Sequence, residues 1–194
     1  MYKVCAEIND VDYRPVLLDG DFQINADRIL CYCDGNTKMV WLCSPNEWVG
    51  NLLKQDEIEM LLGSFDGIVV VDETYIDYAK SRSFRSDIGR YERLVVIDTM
   101  SAAWGAAAIN VAMAYSNREI ISVLNKVKLR HNVSTIAQNY AIELARDPFE
   151  IVKRASLVCL ERQRLMNAVA MLPFCDKVFA SDANFFLARM TDAE

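Results

Sequence analysis

The feature that most constrains this chain is a pair of short, unbroken apolar runs, each closed by hydrogen-bonding residues. Gly67 to Val71 reads GIVVV and ends at Asp72 and Glu73; Leu94 to Ile97 reads LVVI and ends at Asp98 and Thr99. A run that is apolar at every position, and not at alternate ones, belongs to a strand covered on both faces. A third run, Lys38 to Cys43 (KMVWLC), leads into the breaker segment Ser44-Pro45-Asn46. Between these runs, Asp56 to Phe65 carries Ile58, Leu61 and Leu62 at helical spacing. Doubly apolar strands alternating with helices predict an α/β fold, a mostly parallel sheet flanked by helices. Ligands of such sheets gather beyond the carboxyl ends of the strands, where Ser44, Asp72 and Thr99 stand.

Ile109 to Tyr115 reads as one more strand, after which the chain turns helical. Asn117 is placed to cap a helix with an Ile120, Ile121, Leu124, Val127 face, and Val133 to Arg146 forms a second helix. A third opens with Asp147 as cap, Pro148 in the first turn and Glu150 three residues after the cap. Its stripe of Ile151, Ala155, Val158, Leu165, Val169 and Leu172, which runs to Pro173, predicts core packing, with a partner-binding helix as the alternative. Lys177 to Ala180 and Asn184 to Arg189 are expected to pair as strands.

Charge narrows the function. A formal net charge of −6 argues against a nucleic-acid or anionic-membrane binder, since both partners require a basic face. No apolar run approaches the ~20 residues that span a bilayer, and no basic-then-apolar signal opens the sequence, so a cytoplasmic protein is expected. The six cysteines sit at spacings that favour buried reduced thiols; Cys31 and Cys33 fall in an apparent helix, two residues apart and so on different faces. With His131 the only histidine, a mixed Cys/His metal site has little to draw on, and no metal is expected.

Several blocks then stand in a distinctive order: LCSPN (Leu42 to Asn46), Gly50-Asn51, GIVVVDETYIDYA (Gly67 to Ala79), SAAWG (Ser101 to Gly105), LNKVK (Leu124 to Lys128), NVST.AQ (Asn132 to Gln138) and SDANFFLAR (Ser181 to Arg189). This order resembles the histidinol-phosphate aminotransferases, which carry out pyridoxal-phosphate-dependent amino transfer in histidine biosynthesis. The resemblance implies the fold-type I architecture and a homodimer. It divides the chain into a partial cofactor-binding large domain, 1–147, and the long helix and strand pair of a partial small domain, 148–194. It also implies a helix over Tyr2 to Ile8 and a strand over Asp12 to Leu18. The family's glycine-rich phosphate turn and ring-stacking tyrosine would precede Met1, and its substrate-carboxylate arginine would follow Glu194.

By the same resemblance Asp72 faces the cofactor's ring nitrogen, Tyr75 its phenolic oxygen, and Thr99 and Ser101 its phosphate. Three positions depart from the pattern. Ala102 replaces the Schiff-base lysine, Asn110 an arginine of the phosphate site, and Glu47 the second asparagine of a strand-end block. Without a lysine amine there is neither an internal aldimine nor a proton shuttle, so the resemblance implies an aminotransferase-like domain without amino-transfer activity that could still take a phosphate-bearing small molecule. The alternative is a non-enzymatic interaction or structural homodimer module on the same fold.

Overall fold

The computed structural model describes residues 1–191. The chain opens with α1 (Tyr2–Ile8), crosses an extended stretch and enters α2 (Ala26–Tyr32), whose first turn is capped by the Asn25 side chain accepting from Arg28 N at 2.8 Å. Then follow β1 (Met39–Cys43), α3 (Gln55–Ser64), β2 (Ile68–Asp72), β3 (Leu94–Thr99) and β4 (Ala112–Tyr115). These strands form one sheet in the order β1-β2-β3-β4, parallel except for β4, which returns antiparallel to β3. The three apolar runs are therefore adjacent parallel strands, with Asp72 and Thr99 as the last residues of β2 and β3.

The alternation of side chains along each strand builds two different faces. Val40 and Leu42, Val69 and Val71, and Leu94 and Val96 point to one side and join the main core with Ile58 and Leu61 of α3. Val69, Leu94 and Val96 on this face have no exposed surface, and Val70 and Val95 on the other face are buried as well, which explains why the runs are unbroken in sequence. The opposite face carries Trp41 and Cys43 of β1, Val70 and Asp72 of β2, and Val95, Ile97 and Thr99 of β3. β1 is an edge strand. Ile68 N donates to Lys38 O and Ser44 N to Asp72 O, so the even-numbered residues of β1 bond β2. The backbone groups of Met39, Trp41 and Cys43 consequently point out of the free edge.

The second half is helical: α4 (Arg118–Val127), α5 (Thr135–Ala145) and α6 (Pro148–Ala170), followed by the hairpin of β5 (Cys175–Val178) and β6 (Ala188–Met190). Asn117 caps α4 through Ile120 N at 2.9 Å, Ser134 caps α5, and Asp147 caps α6 through Glu150 N at 3.2 Å. Only half of the expected capping box forms, because the Glu150 carboxylate turns to Arg154 at 3.0 Å. Ile151 and Ala155 of α6 bury against Tyr78 and Ala103 in a second, smaller core. The rest of the α6 stripe is not core: Val158, Leu165 and Leu172 are exposed, as are Leu124 and Val127 of α4.

Several expectations need correction. Asp12 to Leu18 is not a strand; it makes no ladder with any neighbour, although Val16 and Leu18 lean on the main core. The strand expected from Ile109 begins only at Ala112, because Ala107–Ile109 forms a 3₁₀ turn that ends at Asn110 in the left-handed region, φ 50°. The closing strand pair is displaced to Cys175–Val178 and Ala188–Met190. None of the cysteines is buried: Cys5 and Cys31 are exposed and the other four half-buried, with Cys33 just beyond the end of α2. No helix among the described residues is long and apolar enough to cross a membrane.

Candidate functional site

Register brings the candidate residues together. Cys43 stands opposite Asp72 across β1 and β2, and Asp72 opposite Ile97 across β2 and β3. One pleat beyond Ile97 is Thr99, so Cys43, Asp72 and Thr99 share one face at the carboxyl end of the sheet. The neighbouring carboxylates go the other way. Glu73, almost fully buried, points toward the main core and accepts from the Ser83 hydroxyl and from Phe84 N at 2.8 Å. Asp98 bonds Arg85 at 3.2 Å on that same side. Burial pushes the Glu73 and Asp98 carboxyls above the ordinary range.

Asp72 is the best-held group on the site face. Its Oδ1 accepts from the Thr74 hydroxyl at 2.6 Å and from Thr74 N at 3.1 Å, and its Oδ2 accepts from the Tyr2 phenol at 2.7 Å. An ionised carboxylate has about four acceptor positions. Three donors leave capacity for one more, on Oδ2. The Tyr2 ring packs against Trp41 at a centroid distance of 4.9 Å, and Cys43 lies beside its hydroxyl. Burial pushes the Cys43 thiol up to about 12, with the Asp72 charge adding to the effect. Burial also raises the Tyr2 phenol far above the usual tyrosine range, helped by Cys43 and by the bond to Asp72.

Tyr75 follows β2 at the start of the 3₁₀ turn Ile76–Tyr78, and its ring meets Phe185 edge-on at 5.2 Å. Its phenol is raised chiefly by burial, with the Glu47 charge adding to the effect; Glu47 itself lies in the turn that follows the carboxyl end of β1. Thr99 and Ser101 bond each other, Oγ1 to Oγ, at 2.8 Å, and Ser101 N donates to Thr99 Oγ1 at 3.1 Å. Ala102 is half-buried and packs with Tyr75 against the α6 core. Asn110 is exposed and caps its own 3₁₀ turn. Asp72, Tyr75, Glu47, Thr99, Ser101 and Ala102 thus gather at one end of the sheet, and Asn110 contributes no charge there.

The loop after β1 is fixed from a distance. Asn46 N donates to Asn51 O at 2.8 Å and Asn46 Oδ1 accepts from Trp48 N at 3.0 Å, which shapes the turn that carries Glu47. Gly50, at φ 88°, donates to Asn46 O at 2.8 Å, and its carbonyl accepts from Asp182 N at 2.7 Å. Sequence reasoning missed Tyr2, Thr74, Cys43 and Phe185. Thr74 had a local signal, since an aspartate two residues before a threonine favours an Asx turn. Tyr2 had none, being 70 residues from its partner.

Comparison with known proteins gives the family and the fold. The family model described as aminotransferase class I and II matches residues 1–194. The chain is 46% identical over 193 residues to a histidinol-phosphate aminotransferase of Bacteroides fragilis and 39% identical over 194 residues to that of Cytophaga hutchinsonii. Both matches cover 100% of this chain and 56% of the relative, so the chain spans just over half the length of these proteins. Among solved structures, the histidinol-phosphate aminotransferase of Clostridium acetobutylicum superposes with a TM-score of 0.90 at 23% identity, covering 99% of this chain and 59% of that one. The enzyme from Sinorhizobium meliloti in complex with pyridoxal-5'-phosphate superposes at 0.84 with 16% identity, over 94% of this chain and 50% of that one. At those identities the superpositions establish the fold.

Proposed function

Because the chain belongs to the class I and II aminotransferase family, we propose that it is a histidinol-phosphate-aminotransferase-like domain that holds the ring of a pyridoxal-type cofactor noncovalently and does not transfer amino groups. The observation that carries the reading is a built carboxylate at the same end of the sheet as a missing amine. Asp72 is fixed by three donors and retains acceptor capacity, while residue 102, which like Tyr75 packs on the small core, ends in a methyl group. When bound to an enzyme, pyridoxal phosphate supplies an electron sink for carbanion chemistry. The residues present fit its ring: Asp72 would take the protonated nitrogen, the Tyr75 phenol would donate to the phenolic oxygen, and the Thr99 and Ser101 hydroxyls would bond the phosphate. Ala102 offers no nucleophile and no base, Asn110 no cation, and Glu47 adds negative charge near an anionic ligand. In this reading residues 1–147 form the cofactor-binding part and 148–194 the beginning of a second, smaller domain.

The test is reconstitution. Incubation of the wild-type chain with pyridoxal phosphate and borohydride is expected to give no adduct at the site. Ala102→Lys is expected to give a reducible adduct at residue 102 and the aldimine absorbance that accompanies it. Specific amino transfer by the wild-type chain would overturn the reading. A homo-oligomer also belongs to the proposal, supported by the free edge of β1 and by the exposed apolar residues of α4 and α6. Light scattering at micromolar concentration checks it, and a monomer of 22.0 kDa would refute it.

A further inference from the structure

We propose that Tyr2 is the positioning residue for Asp72, its phenol orienting the carboxylate for a ligand's protonated ring nitrogen. The inference rests on the noncovalent ring-binding reading above and adds a residue that the sequence blocks leave unassigned. Asp72 stands at the end of a strand, where a side chain has rotational freedom unless something restrains it. Thr74 restrains one oxygen through two bonds from its own backbone and hydroxyl. The other oxygen has one protein donor, Tyr2, which arrives from α1, outside the sheet.

Tyr2 is itself positioned. Its ring rests on Trp41 with the planes tilted by 39°, and it is half-buried, whereas α1 buries no residue fully. Among the other residues of α1 only Ala6 is even half-buried. The Tyr2 contacts are thus the main anchor of α1, and the bond to Asp72 works in both directions. The helix holds the carboxylate, and the carboxylate holds the helix. Because Tyr2 uses one of the two acceptor positions of Oδ2, it orients the group without saturating it. A phenol that blocked the site would have to consume the remaining position as well.

The experiment uses pyridoxamine 5'-phosphate, which has no aldehyde to react with surface lysines, and its carbocyclic analogue, in which CH replaces the ring nitrogen. Affinities are measured by calorimetry for the wild type, Tyr2→Phe, Asp72→Asn and the double variant. Tyr2→Phe is expected to weaken pyridoxamine phosphate binding about tenfold, the scale of one charge-assisted hydrogen bond, and to leave the analogue unaffected. The double variant is expected to bind no more weakly than Asp72→Asn alone, since Tyr2 acts through Asp72. Unchanged or tighter binding by Tyr2→Phe, or additive losses, would overturn the proposal. A readout without ligand accompanies these: amide exchange across Cys5 to Asn9 is expected to accelerate in both single variants. If the wild type binds neither probe, the ring-binding reading fails, and with it the ligand-orienting role. If the probes bind but exchange stays unmoved, the Tyr2–Asp72 bond fails alone.

Discussion

Replacing Gly50 by alanine tests whether the loop carrying Glu47 is held by its own backbone or by the C-terminal segment. Gly50 sits at φ 88°, in the left-handed region, where an L-residue costs roughly 1–2 kcal/mol. A Cβ there would also collide with the Ser181 hydroxyl, and it would lie 3.0 Å from Phe185 O and 3.1 Å from Ser181 Cβ. Forcing an extra carbon into packed surroundings costs about 1–3 kcal/mol. Gly50→Ala is therefore expected to lose ~2–5 kcal/mol, a large share of the stability of a domain of this size. The two contributions separate in a double-mutant cycle with Ser181→Gly, which removes the colliding hydroxyl. Ser181→Gly alone forfeits the bonds of that hydroxyl to Ala183 N at 3.1 Å and to Phe185 O. In its background the cost of Gly50→Ala is expected to fall by about 1–3 kcal/mol, leaving the backbone contribution. Urea unfolding followed by tryptophan fluorescence measures each corner, provided the transitions are two-state. A Gly50→Ala cost below ~0.5 kcal/mol would refute the strain argument, and equal costs in both backgrounds would refute the collision.

The remaining expectations follow from burial. Glu73 has its folded-state pKa raised by burial, so the native state binds its proton more readily than the unfolded chain does. The associated stability is present below the ordinary carboxylate pKa and is lost as pH rises through the elevated value. The urea midpoint of Glu73→Gln is expected to fall less than that of the wild type between pH 4 and pH 8, and parallel profiles would refute this. Cys43, with its thiol near 12, is expected to alkylate with iodoacetamide at pH 8 on the order of 10³-fold more slowly than an ordinary exposed thiol, well after Cys5 and Cys31; peptide mapping over time would expose the opposite order. Leu61→Ala, at a side chain with no exposed surface between α3 and the sheet, is expected to cost ~2.7–5 kcal/mol by urea unfolding, and a loss under ~1 kcal/mol would mean that the main core collapses around the gap.

The parallel strands were legible in the sequence because burial on both faces writes an unbroken apolar run, as in Ile68 to Val71. The caps at Asn117 and Asp147 were legible because a side chain accepting an amide three residues ahead is a local event. What the residues did not announce was set by distance or by partners. Asp12 to Leu18 has strand-like composition, yet a strand exists only through a ladder, and this stretch has none. The α6 stripe has helical period along its whole length, but period cannot say where the neighbour that covers it stops, and only Ile151 and Ala155 are buried. For the site, Asp72, Tyr75 and Thr99 could be placed from strand ends and motif order. Tyr2, the third donor to Asp72, could not, because neither charge nor spacing links Tyr2 to the end of β2.

The clamp between Gly50 and Ser181 carries a kinetic consequence. The three parallel strands are complete once Thr99 has been synthesised, and their pairings join segments close in sequence. Ser181 bonds Gly50 across 131 residues of chain. Contacts of such separation form late, because the intervening chain must first surrender its loop entropy. At the usual ~5–20 residues per second, roughly 4–16 s pass between the synthesis of Thr99 and that of Ser181. During that interval the sheet can exist while the turn bearing Glu47 is still free to move. The rim of the site is thus finished by a segment made well after the sheet it borders, and a nascent chain arrested before Ser181 would display the sheet without it.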